Sequence, residues 1–336
     1  MQVLSQGRSA VLEEPAGPAG VRLRDRPRTQ PPDGYASVEM RAAALNHLDL
    51  WIASGRQKAE LPRVIGGDGA GVEQGTGQEV VVYPVACCWR CERCRAGQQV
   101  FCPEFGVIGE HTDGTACELL QVPAQNLFPK PAGLSWEEAA AFPLTFLTAW
   151  RMLVTRARLQ PWETLLVVGA GAGVAAAAIA IGRHLGARVL ATSRSPEKRR
   201  QAERLGAELT FESSGFGPAV REATGGRGAD VVFEHVGPAT LDDSTRALAP
   251  GGRLVFCGST SGVRAELNLP RLFFRQAEMH GSTMGNAGEF AAVLRAVGQG
   301  LRPVVDQVFP LEEAPQALEH LEREAQFGKV VLRVSD

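Results

Sequence analysis

Hydrophobic positions fall into two textures along this chain. In the first part they form short runs broken by Gly and Pro: residues 35–45 (YASVEMRAAAL), 79–84 (EVVVYP) and 117–123 (CELLQVP). Runs of that length between turn residues predict strands, and several of them together predict a β-rich barrel. At Ser135 the texture changes. Ser135 stands three residues before Glu138 in SWEEAAAF, a helix-start signature, and after Pro143 a second helical stretch covers 144–153. From Thr164 strand-like runs alternate with helical ones. Residues 165–168 (LLVV), 188–192 (RVLAT), 230–234 (DVVFE), 253–258 (RLVFCG) and 279–284 (MHGSTM) read as strands. A small-residue helix separates the first two, and PEKRRQAERLG reads as a helix with Pro196 in its first turn and Gly206 just past its end. Repetition of this kind builds a parallel sheet covered on both faces. A last strand-like run, 329–334 (KVVLRV), has no helix after it.

A chain of 336 residues is long enough for two domains, each with its own core. Charge is nearly balanced at −2, and no basic block or Arg-plus-aromatic stripe points to nucleic acid. No apolar run reaches the length of a membrane span, and the first residues lack a basic region followed by an apolar one. The expectation is a cytoplasmic protein acting on a small molecule. Of 35 basic residues only Lys58, Lys130, Lys198 and Lys329 are lysine.

Cys88, Cys91, Cys94 and Cys102 crowd into CWRCERCRAGQQVFC, with gaps of two, two and seven residues. Thiolates at that spacing can close a tetrahedral shell around one soft divalent ion, most plausibly zinc. Charged residues interleave them, which argues against an apolar core strand, and a disulfide framework belongs to small secreted domains. Four protein ligands leave no open position, so the ion is expected to be structural and worth on the order of 10 kcal/mol toward ordering the loop. Cys87, Cys117 and Cys257 remain as isolated, buried thiols.

In TLLVVGAGAGVAAAA, Gly169, Gly171 and Gly173 follow a strand and open a helix. Glycine permits a tight turn there and lets backbone approach a pyrophosphate, which the helix N-terminus then binds. Val174 stands where a strict G-x-G-x-x-G pattern has its third glycine, with Ala175 as the nearest small residue. The next strand ends in ATSRSPEK. Thr192, Ser193 and Arg194 occupy the place where an acid would meet a ribose 2′-OH. The missing acid, with Arg194 and Lys198, suits NADP(H) over NAD(H); solvated surface cations are the alternative. Val236, Gly237 and Gly258, at the carboxyl ends of later strands, read as cofactor wall or as simple turn residues.

These motifs together resemble the medium-chain dehydrogenase/reductase superfamily of zinc alcohol dehydrogenases and quinone oxidoreductases. The resemblance includes the cysteine lobe, VIGGDGAGV at residues 64–72 and LGA at 205–207, and spans nearly the whole chain. It implies a GroES-like barrel over 1–143 and 287–336 and a Rossmann domain over 144–286. The barrel would be completed by the C-terminal strand, and homodimers or homotetramers are implied. It also implies a catalytic zinc held by Cys, His and Cys, yet Asn46, Gly67 and Leu144 stand at those three positions, and Leu48 replaces the hydroxyl of the proton relay. A substitute ligand set of His47, Asp49 and Asp68 is the alternative. Trp51 stands where some relatives carry tyrosine, and His111 is assigned no role.

Without a Lewis acid, oxidation of a simple alcohol is harder than hydride delivery to a quinone or enone, whose product charge is a delocalised phenolate or enolate. In ALNHLDLW, Asn46 is read as an amide donor to substrate or nicotinamide, and Asp49 as the residue that holds the local network. His47 is a candidate for the cofactor pyrophosphate or for proton donation, and Thr148 for the nicotinamide amide. The expectation is an α/β protein with a doubly wound sheet, an NADPH-dependent reductase of a quinone, enone or similar carbonyl compound with one structural zinc. The alternatives are an alcohol or aldehyde dehydrogenase with an atypical metal site and a low-turnover NADP-binding sensor or structural protein.

Overall fold

The computed structural model describes residues 3–335. The chain divides into two compact units, Met1–Leu144 with Gly285–Asp336, and Thr145–Met284. The sequence pattern puts these crossings at 143/144 and 286/287.

In the first unit, Tyr35–Leu45 is the central strand of a seven-stranded sheet. It pairs antiparallel with Asp68–Glu73, with Leu119–Pro123 and with Lys329–Arg333. The run at 329–334 therefore joins this unit as the strand Lys329–Arg333. Val330 lies opposite Leu45, and Asp68 lies opposite Ala44. This register brings Lys329 and Asp68 to the end of the central strand, where the chain turns at Asn46. The sheet face is apolar: Val38, Met40, Leu45, Val80, Leu120 and Val330 are buried in one core. On the other side the helix Trp136–Ala141 packs through Ala140 and Ala141 onto Ala42, Ala44 and Val331. Only small side chains on both partners allow that close approach. Ser135 and Glu138 form the expected capping box at its start.

Pro143 does not break the following helix but begins it, over Pro143–Trp150. Proline is suited to a first turn, where its missing N–H has no intrahelical partner anyway. The expected helical stretch then continues as a wider, π-helical turn over Arg151–Arg156.

The second unit holds six parallel strands, β1 (Thr164–Val167), β2 (Arg188–Thr192), β3 (Leu209–Phe211), β4 (Ala229–Glu234), β5 (Leu248–Phe256) and β6 (Glu278–Gly281). Their order across the sheet is β3-β2-β1-β4-β5-β6, a doubly wound arrangement that reverses beside β1. Leu165, Leu166 and Val167 of β1 and Val231, Val232 and Phe233 of β4 are apolar and buried, as strands covered on both faces must be. β6 stops at Gly281, short of the strand to 284 expected from residues 279–284. No helix among the described residues is long and apolar enough to cross a membrane.

Candidate functional site

The glycine turn after β1 has the shape its sequence requires. Gly169 has φ +82, and a Cβ there would lie 2.8 Å from Val236 Cγ2 and 3.0 Å from His235 Nε2. Gly171 has φ +124, and its Cβ would lie 2.6 Å from Lys198 Cδ and 3.2 Å from Lys198 Nζ. Both conformations favour glycine, and a side chain at either position would displace its neighbours. The turn is tied down from β2, because Thr192 Oγ1 accepts the Gly169 N–H at 3.1 Å and Thr192 O accepts the Ala170 N–H at 2.7 Å. The helix Gly173–His184 follows at once, with Val174 in its first turn and Ala172, which has no side-chain acceptor, at its N-cap. Its first N–H groups are thus left for a ligand.

The carboxyl ends of β1, β4 and β5 converge here. Val236 touches the turn at Gly169, and Gly258 approaches His235 O so closely that a Cβ would sit 2.7 Å away. Gly237, with φ +98, lies against Ser259 and Ser261. Glu234, buried at the end of β4, is fully engaged. Its oxygens accept N–H bonds from Val236 and Gly237 and hydroxyl bonds from Thr240 and Ser244. Burial lowers the affinity of the His235 ring for a proton, so this wall presents neutral imidazole.

Past β2, Ser193 is buried and Arg194 exposed, while Lys198 reaches back over Gly171. Arg199, which sequence reasoning passed over, donates from Nη1 to Ser193 O at 2.9 Å and lies 3.5 Å from Glu212. A helical stretch with three consecutive basic residues after its cap carried the signal. Thr148 is buried, and its hydroxyl faces Met284 Sδ at 3.9 Å.

In the first unit, the positions expected to hold a catalytic zinc do come together, but none carries a metal ligand. A Cβ built on Gly67 would lie 3.2 Å from Leu144 Cδ1, 3.6 Å from Asn46 Nδ2 and 3.2 Å from Ile108 O. An amide, a missing side chain and an isobutyl group offer no thiolate or imidazole. A cation is already built into the neighbourhood. Lys329 Nζ donates to Leu45 O at 2.8 Å, Asn46 Oδ1 at 2.6 Å and Asp68 Oδ2 at 2.8 Å. Asp68 also accepts from Asn46 Nδ2 at 2.9 Å and, through Oδ1, from the Leu144 N–H at 2.5 Å. The Lys329 and Asp68 side chains are 4% and 0% exposed, so this is an ion pair removed from water.

Asp49 completes the cluster. It is buried, and its two oxygens accept the Asn46 N–H at 2.7 Å and the Gly66 N–H at 2.8 Å. It thereby clamps the turn bearing Asn46 to the strand entry bearing Gly67 and Asp68. Burial pushes its carboxyl up to about 6, although both N–H bonds and Lys329 act in the opposite sense. His47 is half-buried and opens the helix His47–Ala53. His47, Asp49 and Asp68 do not assemble as a metal-ligand group, since the only such group among the described residues is formed by cysteines. The donor set here therefore does not fit a catalytic zinc.

The cysteine cluster does fit a structural zinc. The Sγ atoms of Cys88, Cys91, Cys94 and Cys102 all lie within 4.8 Å of one another. Three of their separations are 3.5, 3.9 and 3.9 Å, against about 3.8 Å for a tetrahedron of zinc–sulfur bonds. Backbone N–H groups of Cys91, Cys94 and Glu104 point at three of the sulfurs, as thiolates require. The Arg90 and Cys91 N–H groups bring the Cys88 thiol down to about 6, whereas burial pushes Cys94 and Cys102 up. A bound cation would resolve that conflict by stabilising all four thiolates together. His111, by contrast, accepts the Val107 N–H at Nδ1 and has a structural place.

The alcohol dehydrogenase GroES-like domain family matches residues 32–132, and the zinc-binding dehydrogenase family matches residues 173–299. A zinc-type alcohol dehydrogenase-like protein of Schizosaccharomyces pombe is 30% identical over 90% of this chain and 91% of its own. A crystal structure of an NAD-dependent alcohol dehydrogenase superposes with a TM-score of 0.94 at 43% identity, covering 98% of this chain and 100% of that one. A 2-octenoyl-CoA carboxylase reductase, solved with NADP and 2-octenoyl-CoA, superposes with a TM-score of 0.90 at 26% identity, over 99% and 88% of the two chains. With a GroES-like barrel, a Rossmann unit holding a dinucleotide turn and a four-cysteine lobe, the chain belongs to the zinc-type alcohol dehydrogenase-like medium-chain dehydrogenase/reductase superfamily and is an NAD(P)-dependent oxidoreductase.

Proposed function

We propose that this protein is an NADPH-dependent reductase of enones, quinones or similar electron-poor carbonyl compounds, and that it works without a catalytic metal. The observation that carries the proposal is the replacement of a metal-ligand set by Asn46, Gly67 and Leu144 around a buried lysine–aspartate pair. When bound, the dihydronicotinamide supplies a hydride and is oxidised.

The chain's own task is to hold the reactants and to stabilise the oxygen on which negative charge appears. An alkoxide needs a strong Lewis acid, but charge spread over an enolate or phenolate can be met by hydrogen-bond donors. The Asn46 amide is the donor placed for it. As hydride arrives at the β-carbon of an enone, the C=C electron pair moves toward the carbonyl and the oxygen takes the charge. A proton from water at the α-carbon completes the saturated ketone. The glycine turn and the Gly173–His184 N-terminus would hold the pyrophosphate. Arg194, Lys198 and Arg199, with no acid at the end of β2, would favour a 2′-phosphate. The relative solved with NADP and an enoyl thioester supports the same acceptor chemistry.

Mixing the protein with NADPH and a panel of quinones and enones in a stopped-flow instrument is expected to show oxidation of the cofactor, faster with NADPH than with NADH. The 43% resemblance to an NAD-dependent alcohol dehydrogenase favours a second reading, reversible alcohol oxidation with NAD. Turnover of simple alcohols with NAD, and none of the panel with NADPH, would establish that reading instead.

A further inference from the structure

The buried cluster can be audited donor by donor. An ammonium has three N–H groups, and Lys329 spends all three, on Leu45 O, Asn46 Oδ1 and Asp68 Oδ2. It has none left for a substrate. Asp68 is likewise committed, to Lys329, Asn46 and the Leu144 N–H. Asp49 is occupied by the N–H groups of Asn46 and Gly66. The Asn46 amide gives one of its two Nδ2 hydrogens to Asp68 and accepts the Lys329 proton at Oδ1. Its orientation is fixed by chemistry: a flipped amide would set N–H against ammonium and carbonyl against carboxylate. Among the side chains of this cluster, one hydrogen-bond donor remains, the second hydrogen on Asn46 Nδ2. Gly67 sets no side chain against that nitrogen; a Cβ there would lie 3.6 Å from it.

A positive charge on an amide oxygen draws electron density from the nitrogen and makes its remaining N–H a stronger donor. We infer that Lys329 is a positioning residue that acts on the acceptor only through Asn46, orienting and polarising the amide whose free N–H stabilises the developing enolate or phenolate oxygen. The inference rests on the proposed reduction of enones or quinones and assigns a residue outside the motif that suggested it. It requires no redox step beyond the hydride transfer already described.

Single-turnover reduction with saturating acceptor tests it, using wild type, N46A, K329M and the double variant N46A/K329M. Loss of one oxyanion donor is expected to slow hydride transfer about 100-fold in N46A. K329M is expected to slow it about tenfold or more, with an unchanged KM for the acceptor and a larger isotope effect from 4-deuterated NADPH. The double variant is expected to be no slower than N46A, because Lys329 has no other route to the substrate. Removing one partner of a buried ion pair destabilises proteins strongly. D68N/K329M, which removes both charges together, therefore repeats the test and is expected to match K329M. A purely structural role would lower the reacting amplitude and leave the rate constant intact, and that result overturns the inference. So do losses in N46A and K329M that multiply in the double variant. A wild type that reduces no acceptor overturns the functional reading itself and the inference with it.

Discussion

Asp49 shows how a residue's setting can stay hidden in the sequence. The run ALNHLDLW places a carboxylate three residues after Asn46, which is where a helix-start residue reaches back to the backbone. The sequence cannot show that the second oxygen meets the N–H of Gly66, because that contact is made by the fold. Burial there pushes the carboxyl up to about 6. Its sign follows from linkage. Between about pH 4 and 6 the folded chain keeps a proton that the unfolded chain has lost, so this group's stabilisation is present below pH 4 and is lost as the pH rises through 6. It amounts to about 3 kcal/mol. A carbon-13 carboxyl resonance of Asp49 is therefore expected to titrate near pH 6; a midpoint near pH 4 would show that the site is not the dry clamp described. Lys329 escaped sequence reasoning for a different reason. It reads as the first residue of a terminal strand, and its partners lie more than 250 positions away. The available hint was scarcity, in a chain where arginine carries nearly all the positive charge. Of the four lysines, Lys329 is buried in the cluster, Lys198 lies over the glycine turn, and Lys130 stacks on Trp136 at 4.8 Å.

At the scale of elements, local signals were strong where one short segment determines its own geometry. The capping box at Ser135, the strand β2 and the helix after it follow their sequence cues closely. Pro143 takes the first position of its helix, where its missing N–H has no intrahelical partner to lose. The glycine turn belongs with the readable features. G171A is expected to weaken NADPH binding at least tenfold while leaving the fold intact, since its φ of +124 resists a side chain and a methyl group would displace the Lys198 side chain that lies over the turn. Titration of cofactor fluorescence checks this, and unchanged affinity would remove the turn from the phosphate site. Strand register, by contrast, was not readable. Pairing of Leu45 with Val330 and of Ala44 with Asp68 is what assembles Asn46, Asp68 and Lys329, and no local pattern encodes that alignment.

For the molecule as a whole, the fold class was accessible because strand–helix alternation, the glycine turn and the cysteine spacing each select the same architecture. The chemistry was accessible mainly as a deficit. Asn46, Gly67 and Leu144 announce what is missing from a metal-ligand set, while the ion pair built beside them appears only when the chain is folded. The two candidate metal sites thus have opposite characters: four convergent sulfurs in one, and an amide beside an ammonium in the other. Elemental analysis and NADPH-driven enone reduction, measured on the same preparation, test the central claim most directly. One zinc per chain is expected, with a reduction rate that neither added zinc nor a chelator of exchangeable metal changes. Two tightly held metals per chain, with a rate that rises and falls with occupancy of the second, would contradict it.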